Sequence, residues 1–498
     1  MSASLLFSFV ALYFIVLLVV AYFTSRNAGN ETFFIGNKSS NWMLVAFGMI
    51  GTSLSGVTFV SVPGSVGKEA FSYFQITIGY FIGYLAIAFV LLPLYYRLNL
   101  TSIYTYLNTR LGFSSYKTGA SFFIVSRTLG ATARLYLVVN ILQEAILSQF
   151  HVPFWLTTLI ILLMILLYTY EGGVKTIVWT DTLQTTCMLA GLVICVVYIL
   201  KQLDMTMAGG FEALNSSGYS KIFFTDANDK LFFVKQILAG AFITITMTGM
   251  DQEMMQKNIS VKTLKDAQKN MVTLAFIMLL VIGLFLVLGG LLHLYGSKIG
   301  VAASGDKLFP EIALKHMPTM ISVIFIIALI SALFPSADGA ITALTSSFCI
   351  DILGMQRSAT WSDVQKKKIR QRVHLSFAFL FLLLVMMFKW INNPSMIGLI
   401  LKLAGYTYGP LLGLFSFGIL TKRILHGKYV PFICLAAPAI CFVLDKNQQN
   451  IFGNFQIGLE LLIINGLLTF IGLYIFSSNA TDQAINTGIN DESALKTK

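Results

Sequence analysis

Charge is what this sequence has least of. Of its 498 residues only 11% are Asp, Glu, Lys or Arg, under half of the roughly 25% found in ordinary soluble domains. So few charges cannot cover a water-facing surface, which excludes a soluble enzyme. Cysteine is also scarce: Cys187, Cys195, Cys349, Cys434 and Cys441 all lie in apolar segments, where they act as small hydrophobes, and a secreted disulfide scaffold is excluded. The five histidines are scattered, mostly at the ends of apolar runs. No Cys/His group has metal-ligand spacing and no nucleophile stands with a base, so nothing points to an intramembrane enzyme. A channel would want a ring of charges or a filter loop, and neither is visible. What is present is apolar: 56% of the chain, with 41 Phe and 20 Tyr, too many for disorder outside the ends. These features describe an all-α polytopic membrane protein.

A bilayer-spanning helix needs about 20 mostly apolar residues. Thirteen segments meet this, near 4–24, 41–65, 74–96, 118–148, 153–170, 177–200, 236–256, 270–295, 318–353, 373–391, 395–420, 429–444 and 455–477. The first lacks a basic leader and a clear cleavage site, so it reads as a true span rather than a signal peptide. The net charge of +12 is read as loop bias rather than nucleic-acid binding. On one side of the membrane 21 Lys and Arg gather, Lys257, Lys262, Lys265 and Lys269 among them, against ten on the other. That places the N-terminus outside and the C-terminus in the cytoplasm. Residues 1–477 form a single membrane domain, and 478–498 read as a disordered cytoplasmic tail.

Lipid tolerates non-helical backbone only where it lines a cavity. Two spans are rich in Gly, Ser and Thr: Ala46-Phe-Gly-Met-Ile-Gly-Thr-Ser-Leu-Ser-Gly-Val-Thr58, and Ile243-Thr-Ile-Thr-Met-Thr-Gly-Met-Asp251. Two interrupted helices five spans apart are the mark of an inverted-repeat transporter, which binds ions and substrate at the unwound midplane. Intramembrane charge is the second signal: Asp181, Asp251, Asp338, Arg127, Arg134 and Lys402. Asp251 and Lys402 also fit positions near the membrane edge, and either arginine also fits a simple ion pair. Pro335 removes an amide donor and frees the carbonyl of Ser331 beside Ser336 and Asp338. Carbonyls, a hydroxyl and a carboxylate are hard oxygen ligands for a small hard cation; a plain proline kink is the competing reading.

This pattern resembles the sodium:solute symporter family over about residues 30–425. The anchors are Gly172-Gly173…Thr180-Asp181…Gln184, Gly249…Gln252…Gln256-Lys257, and Ala404-Gly-Tyr-Thr-Tyr-Gly-Pro-Leu-Leu-Gly413. The resemblance implies a LeuT-like core of five plus five helices in inverted repeats, about 40–202 and 235–425, with one helix before and two after. It implies sodium between spans 2 and 9, held by carbonyls of Gly51, Leu54 and Ala332 and the hydroxyl of Ser336. Family members usually carry two adjacent hydroxyl residues there, and Pro335 replaces the first. Some members bind a second sodium at the carboxylate matching Asp181, with serines where this chain has Asp338 and Gly339. Asp338 beside Asp181 suits a cation site or a proton site, so sodium and proton coupling both stay open.

For the solute, the Ser53-Leu-Ser55-Gly-Val-Thr58 segment resembles sialic-acid-transporting members. The arginine with which these hold the substrate carboxylate falls nearest Gly130, flanked by Arg127 and Arg134 on about one helical face. Guanidinium suits a carboxylate. Ser53, Ser55, Thr58, Arg127, Arg134, Gln75 and Thr248 are thus the expected substrate contacts. The resulting expectation is a sodium-coupled symporter importing a small anionic solute by alternating access. It needs no cofactor beyond sodium as coupling ion, binds no nucleic acid, and works as a monomer in a bilayer. Compact loops suggest a bacterial inner membrane. A sodium/sugar symporter and a proton-coupled symporter of the same fold are the alternatives.

Overall fold

The structure is a computed structural model and describes residues 3–25, 40–357, 361–391 and 395–479, without the side chains at 170–175. Lys38, and the expected tail beyond Asn479, lie outside the described residues. The chain is built almost wholly of helices. These are α1 (Ala3–Ser25), α2 (Trp42–Ser53), α3 (Gly56–Glu69), α4 (Tyr73–Arg97), α5 (Phe113–Ala145) and α6 (Phe154–Gln202). They continue with α7 (Phe233–Gly249), α8 (Gln252–Ile259), α9 (Leu264–Ile299), α10 (Thr319–Ile352) and α11 (Asp363–Ile391). The last are α12 (Met396–Thr407), α13 (Gly409–Leu420), α14 (Val430–Lys446) and α15 (Leu461–Ile475).

By length and composition, eight helices among the described residues are fit to cross a membrane, and up to eleven if each of three bent pairs is one span. Phe154–Thr169 and Leu461–Ile475 are shorter apolar helices. The two spans expected at 153–170 and 177–200 lie on one helix, α6, with no non-helical residue between them. Large apolar side chains such as Leu280 and Leu420, each 74% exposed, cover outward faces that water would penalise.

Both expected breaks are present. Between α2 and α3 the axis turns by 55°, and between α7 and α8 by 65°. The second follows a π-helical turn at Ile245–Gly249. There Asp251 turns extended and caps α8, its Oδ1 accepting the amide of Glu253 at 2.9 Å. A third break, not expected, bends α12 against α13 by 46° at Tyr408. Pro410 in the first turn of α13 has no amide to donate and a fixed φ, so it starts a helix but cannot continue one.

Small residues let α4 and α7 approach closely. A Cβ built on Gly79 of α4 would lie 2.2 Å from the carbonyl of Ile237 on α7, so only glycine lets these backbones meet. At the C-terminal end Ile424–Leu425 (β1) pairs antiparallel with Ser477–Ser478 (β2). Arg423 fastens the ladder, its Nε donating to Ser477 Oγ at 2.7 Å. The first residue of the expected disordered tail, Ser478, is therefore in a strand.

Candidate functional site

The three breaks each strand main-chain carbonyls that a continuous helix would have satisfied. At the second, Tyr95 Oη donates to the Gly249 carbonyl at 2.8 Å and Tyr104 Oη to the Met250 carbonyl at 2.9 Å. At the third, Asn465 Nδ2 donates to the carbonyls of Gly405 and Tyr406 at 3.0 and 2.8 Å. The first break differs. The Leu54 amide reaches the Ile50 carbonyl at 2.8 Å, and the ladder resumes where Phe59 N meets the Ser55 carbonyl at 3.1 Å. Between these points the carbonyls of Gly51 and Leu54 receive no donor among the described residues.

Those carbonyls sit against α10. A Cβ on Gly51 would lie 3.5 Å from Pro335 Cγ and 2.3 Å from Thr185 Oγ1 of α6, so any side chain at 51 would fill the space the break leaves. Ala332 and Ser336 are fully buried on the α10 side. Ser336 Oγ donates to the Leu333 carbonyl at 2.9 Å, which leaves its lone pairs free to accept or ligate. Thr185 Oγ1 is buried and makes no hydrogen bond among the described residues. Nothing in the sequence singles out this hydroxyl, which lies close to where Pro335 has removed one.

Of the seven expected substrate contacts, six line one cavity of about 100 Å³: Ser53, Ser55, Thr58, Arg127, Arg134 and Thr248. Tyr73, Tyr80 and Tyr84 of α4 close its side, with Tyr73 and Tyr80 sharing a hydrogen bond of 3.2 Å. Gln75 is a correction. Its amide is wholly buried elsewhere: Nε2 donates to the Leu231 carbonyl at 3.1 Å and Oε1 accepts the Phe224 amide at 3.2 Å. It ties the 220–232 segment to α4 and does not reach the cavity. Tyr73, Ile397 and Leu401 also line a second cavity of about 450 Å³, whose wall carries Lys68, Glu69, Lys230, Asp306 and Lys402. Burial pushes the Asp306 carboxyl above the usual range, while the amide of Met396, 2.9 Å from Oδ2, draws it back. Lys402 pairs with Asp445 at 2.7 Å.

The two arginines are held differently. Arg127 Nη2 bonds Glu253 Oε2 of α8, both nearly fully buried. Arg134 has no carboxylate within ion-pair distance and no hydrogen bond among the described residues, and it faces the cavity.

Below the cavity lies a polar cluster. Lys257 of α8 was expected in a cytoplasmic loop; instead it is 3% exposed. Its Nζ lies 2.7 Å from Asp181 Oδ2 and 2.6 Å from Thr52 Oγ1, and Glu253 Oε1 is 3.9 Å away. Thr52 in turn donates to Asp181 Oδ2 at 3.3 Å. The reason for the misplacement is that Lys257 stands one position past the span expected at 236–256, while the short helix carrying it folds back into the protein. Asp338 accepts from Tyr168 Oη at 2.7 Å and from the amide of Gly339. Thus Asp181 and Asp338, expected together as ion ligands, face an ammonium and neutral donors respectively. Asp251 Oδ2 accepts from Tyr408 Oη at 2.9 Å. Glu253 and Tyr168 escaped sequence reasoning, and Lys257 figured there only as a loop charge and part of a family anchor; Glu253 and Lys257 form an i,i+4 pair that reads as a solvated helix face.

Comparison with known proteins agrees with this geometry. A model of the sodium:solute symporter family matches residues 33–427. The chain is 26% identical over 479 residues to the sodium/sialic acid symporter of Proteus mirabilis, covering 91% of this chain and 92% of that one. It is 22% identical over 475 residues to the sodium/sialic acid symporter of Aliivibrio fischeri, covering 91% and 90%. A solved structure of a sodium-coupled sialic acid symporter, substrate-bound and outward-open, matches with TM-score 0.80 at 20% identity, over 94% of this chain and 97% of that one. A nucleobase-cation-symport-1 family transporter in a closed conformation matches with TM-score 0.58 at 12% identity, over 90% and 95%. These likenesses carry the LeuT-type fold. With a family match spanning most of its length, this multi-pass membrane chain belongs to the sodium:solute symporter family.

Proposed function

We propose that the protein couples sodium entry to the uptake of a small carboxylate-bearing solute, such as a sialic acid, by alternating access. The observation that carries the solute class is Arg134: a guanidinium facing a cavity of hydroxyls with no acidic partner among the described residues. Arg134 is only partly buried, so its guanidinium stays open to an incoming ligand, and a guanidinium takes a carboxylate in bidentate fashion. Ser53, Ser55, Thr58 and Thr248 supply hydroxyl partners for the rest of a polyhydroxylated solute. Two relatives named as sodium/sialic acid symporters support the same reading.

Sodium is assigned to the first break. Gly51 and Leu54 offer carbonyls without donors, and Ala332 and Ser336 complete the set from α10. Asp338 stands two residues from Ser336 on α10, and Asp181, already paired with Lys257, lies beside Thr52 of α2. Sodium at this position ties the break to α10 and so favours the state in which the outer cavity is open; the coupling to solute affinity is reciprocal. Inward opening requires parting the floor, where Arg127 joins Glu253 and Tyr408 joins Asp251. Rocking of the helix bundle then exposes both sites inward. The chain works as a monomer in a bacterial inner membrane and catalyses no chemical step.

The test is thermal stability of the purified protein in detergent, in sodium or potassium chloride, with N-acetylneuraminate, lactate and glucose. Sodium-specific stabilisation, increased by a carboxylate solute and not by glucose, is expected. A shift with glucose alone, or equal shifts in potassium, overturns the reading.

A further inference from the structure

The contact between Lys257 and Asp181 is more than a structural ion pair. Asp181 is fully buried on α6, at the level of the first break, and a cation must accompany it. The cation present is part of the chain. Lys257 Nζ touches both Asp181 Oδ2 and Thr52 Oγ1, and Thr52 is the residue next to the Gly51 carbonyl. The ammonium therefore rests on oxygen ligands from α2 and α6, as an ion from solution would, but is covalently held by α8.

Two further features fit an ion-like role. Asp338 lies in the same buried region yet takes Tyr168 Oη and the Gly339 amide rather than a cation. A Cβ on Gly339 would lie 2.3 Å from Glu253 Oε1, so Glu253 fills the space beside Asp338. The region between Asp181 and Asp338 is thus occupied by the Lys257 ammonium and the Glu253 carboxylate.

We propose that Lys257 is a tethered cation standing where a second sodium would neutralise Asp181, so that one sodium, at the α2–α10 site, is bound per transport cycle. This rests on the sodium assignment made above. Lys257 decides ion stoichiometry: the chain carries one of its cations permanently, and solute uptake is driven by one sodium gradient rather than two. Thr52 links the tethered charge to the sodium-binding carbonyls, so α8 and α2 hold a common arrangement as long as the ammonium stays in place.

Equilibrium binding of radioactive sodium to the purified protein in detergent tests this without any solute. Wild type is expected to bind one sodium per chain with a Hill coefficient of about 1. Lys257→Gln is expected to bind two, with a Hill coefficient rising towards about 2. Lys257→Arg keeps the charge and is expected to stay at one. Two sodium ions in wild type, or one in Lys257→Gln, overturns the proposal. If Lys257→Gln is too unstable for binding measurements, its melting temperature should climb with sodium more steeply than that of wild type, and not with choline. A variant that sodium does not rescue also overturns it. Failure of the α2–α10 site itself reads differently: saturable sodium binding is then absent whatever residue stands at 257, and this proposal falls with it.

Discussion

The two broken helices expected from the sequence solve the same problem in opposite ways. At α7–α8 the freed carbonyls of Gly249 and Met250 are taken by tyrosine hydroxyls, and the polar residues of α8 are paired within the protein. At α2–α3 the carbonyls of Gly51 and Leu54 and the hydroxyl of Ser53 receive nothing among the described residues. Arg127 and Arg134 repeat the division: one is tied to α8, the other is free above the α2–α3 break. Buried polar groups are normally satisfied. A fold that satisfies them at one break and leaves them bare at its counterpart has separated a supporting half from a ligand-binding half.

Substitutions can break that division. The largest effect is expected for Arg127→Met, which leaves the buried Glu253 with only the Lys257 ammonium 3.9 Å away, already paired with Asp181, at a cost of about 3–5 kcal/mol. Its melting temperature should fall sharply, and adding Glu253→Gln should restore most of the loss. Equal losses in the single and double variants would place the cost elsewhere. Arg134→Ala should do the reverse. Stability in solute-free buffer changes little, while carboxylate affinity falls about 10- to 100-fold, as loss of a charged hydrogen bond implies. Calorimetric titration with N-acetylneuraminate reads the affinity, and a thermal melt without solute reads the stability. Next, Ser336→Ala removes one oxygen from the open break and should raise the sodium concentration for half-maximal stabilisation about tenfold, or ~1.4 kcal/mol. Smallest is Tyr95→Phe, which bares the Gly249 carbonyl. It should cost about 1 kcal/mol of stability with no change in sodium affinity. A changed sodium affinity there would mean that the closed break also takes part in ion binding.

Much of this was legible in the chain. The first two breaks show because Gly, Ser and Thr crowd two apolar runs, and no lipid-facing helix has reason to be so polar. The hydroxyls at 53, 55 and 58 fall in the cavity because they sit on the break itself. The third break stayed hidden: Pro410 lies where a helix begins as readily as it is interrupted, and Asn465, which caps the Gly405 carbonyl, is 60 residues further on than that glycine. Gln75 was misplaced since an amide in an apolar run looks the same whether it faces a cavity or a loop backbone. Lys257 was misplaced because charge at the edge of an apolar run ordinarily marks solvent. Only the three-dimensional return of α8 brings it onto Asp181. The freedom of Arg134 against the pairing of Arg127 has no sequence signal at all, because it depends on which arginine α8 happens to reach.

The β1–β2 ladder at the end of the chain has a practical consequence. Ser477 and Ser478 are stitched to Ile424 and Leu425 just past α13, and Arg423 clamps the joint. A pull on whatever follows Asn479 is taken up by this clasp before it can reach α15 or the transport helices. A fluorescent label or affinity handle fused beyond that point should ride on the protein as a passenger, whereas one that replaces Ser477 and Ser478 would undo the clasp and pass any pull directly to the last helix.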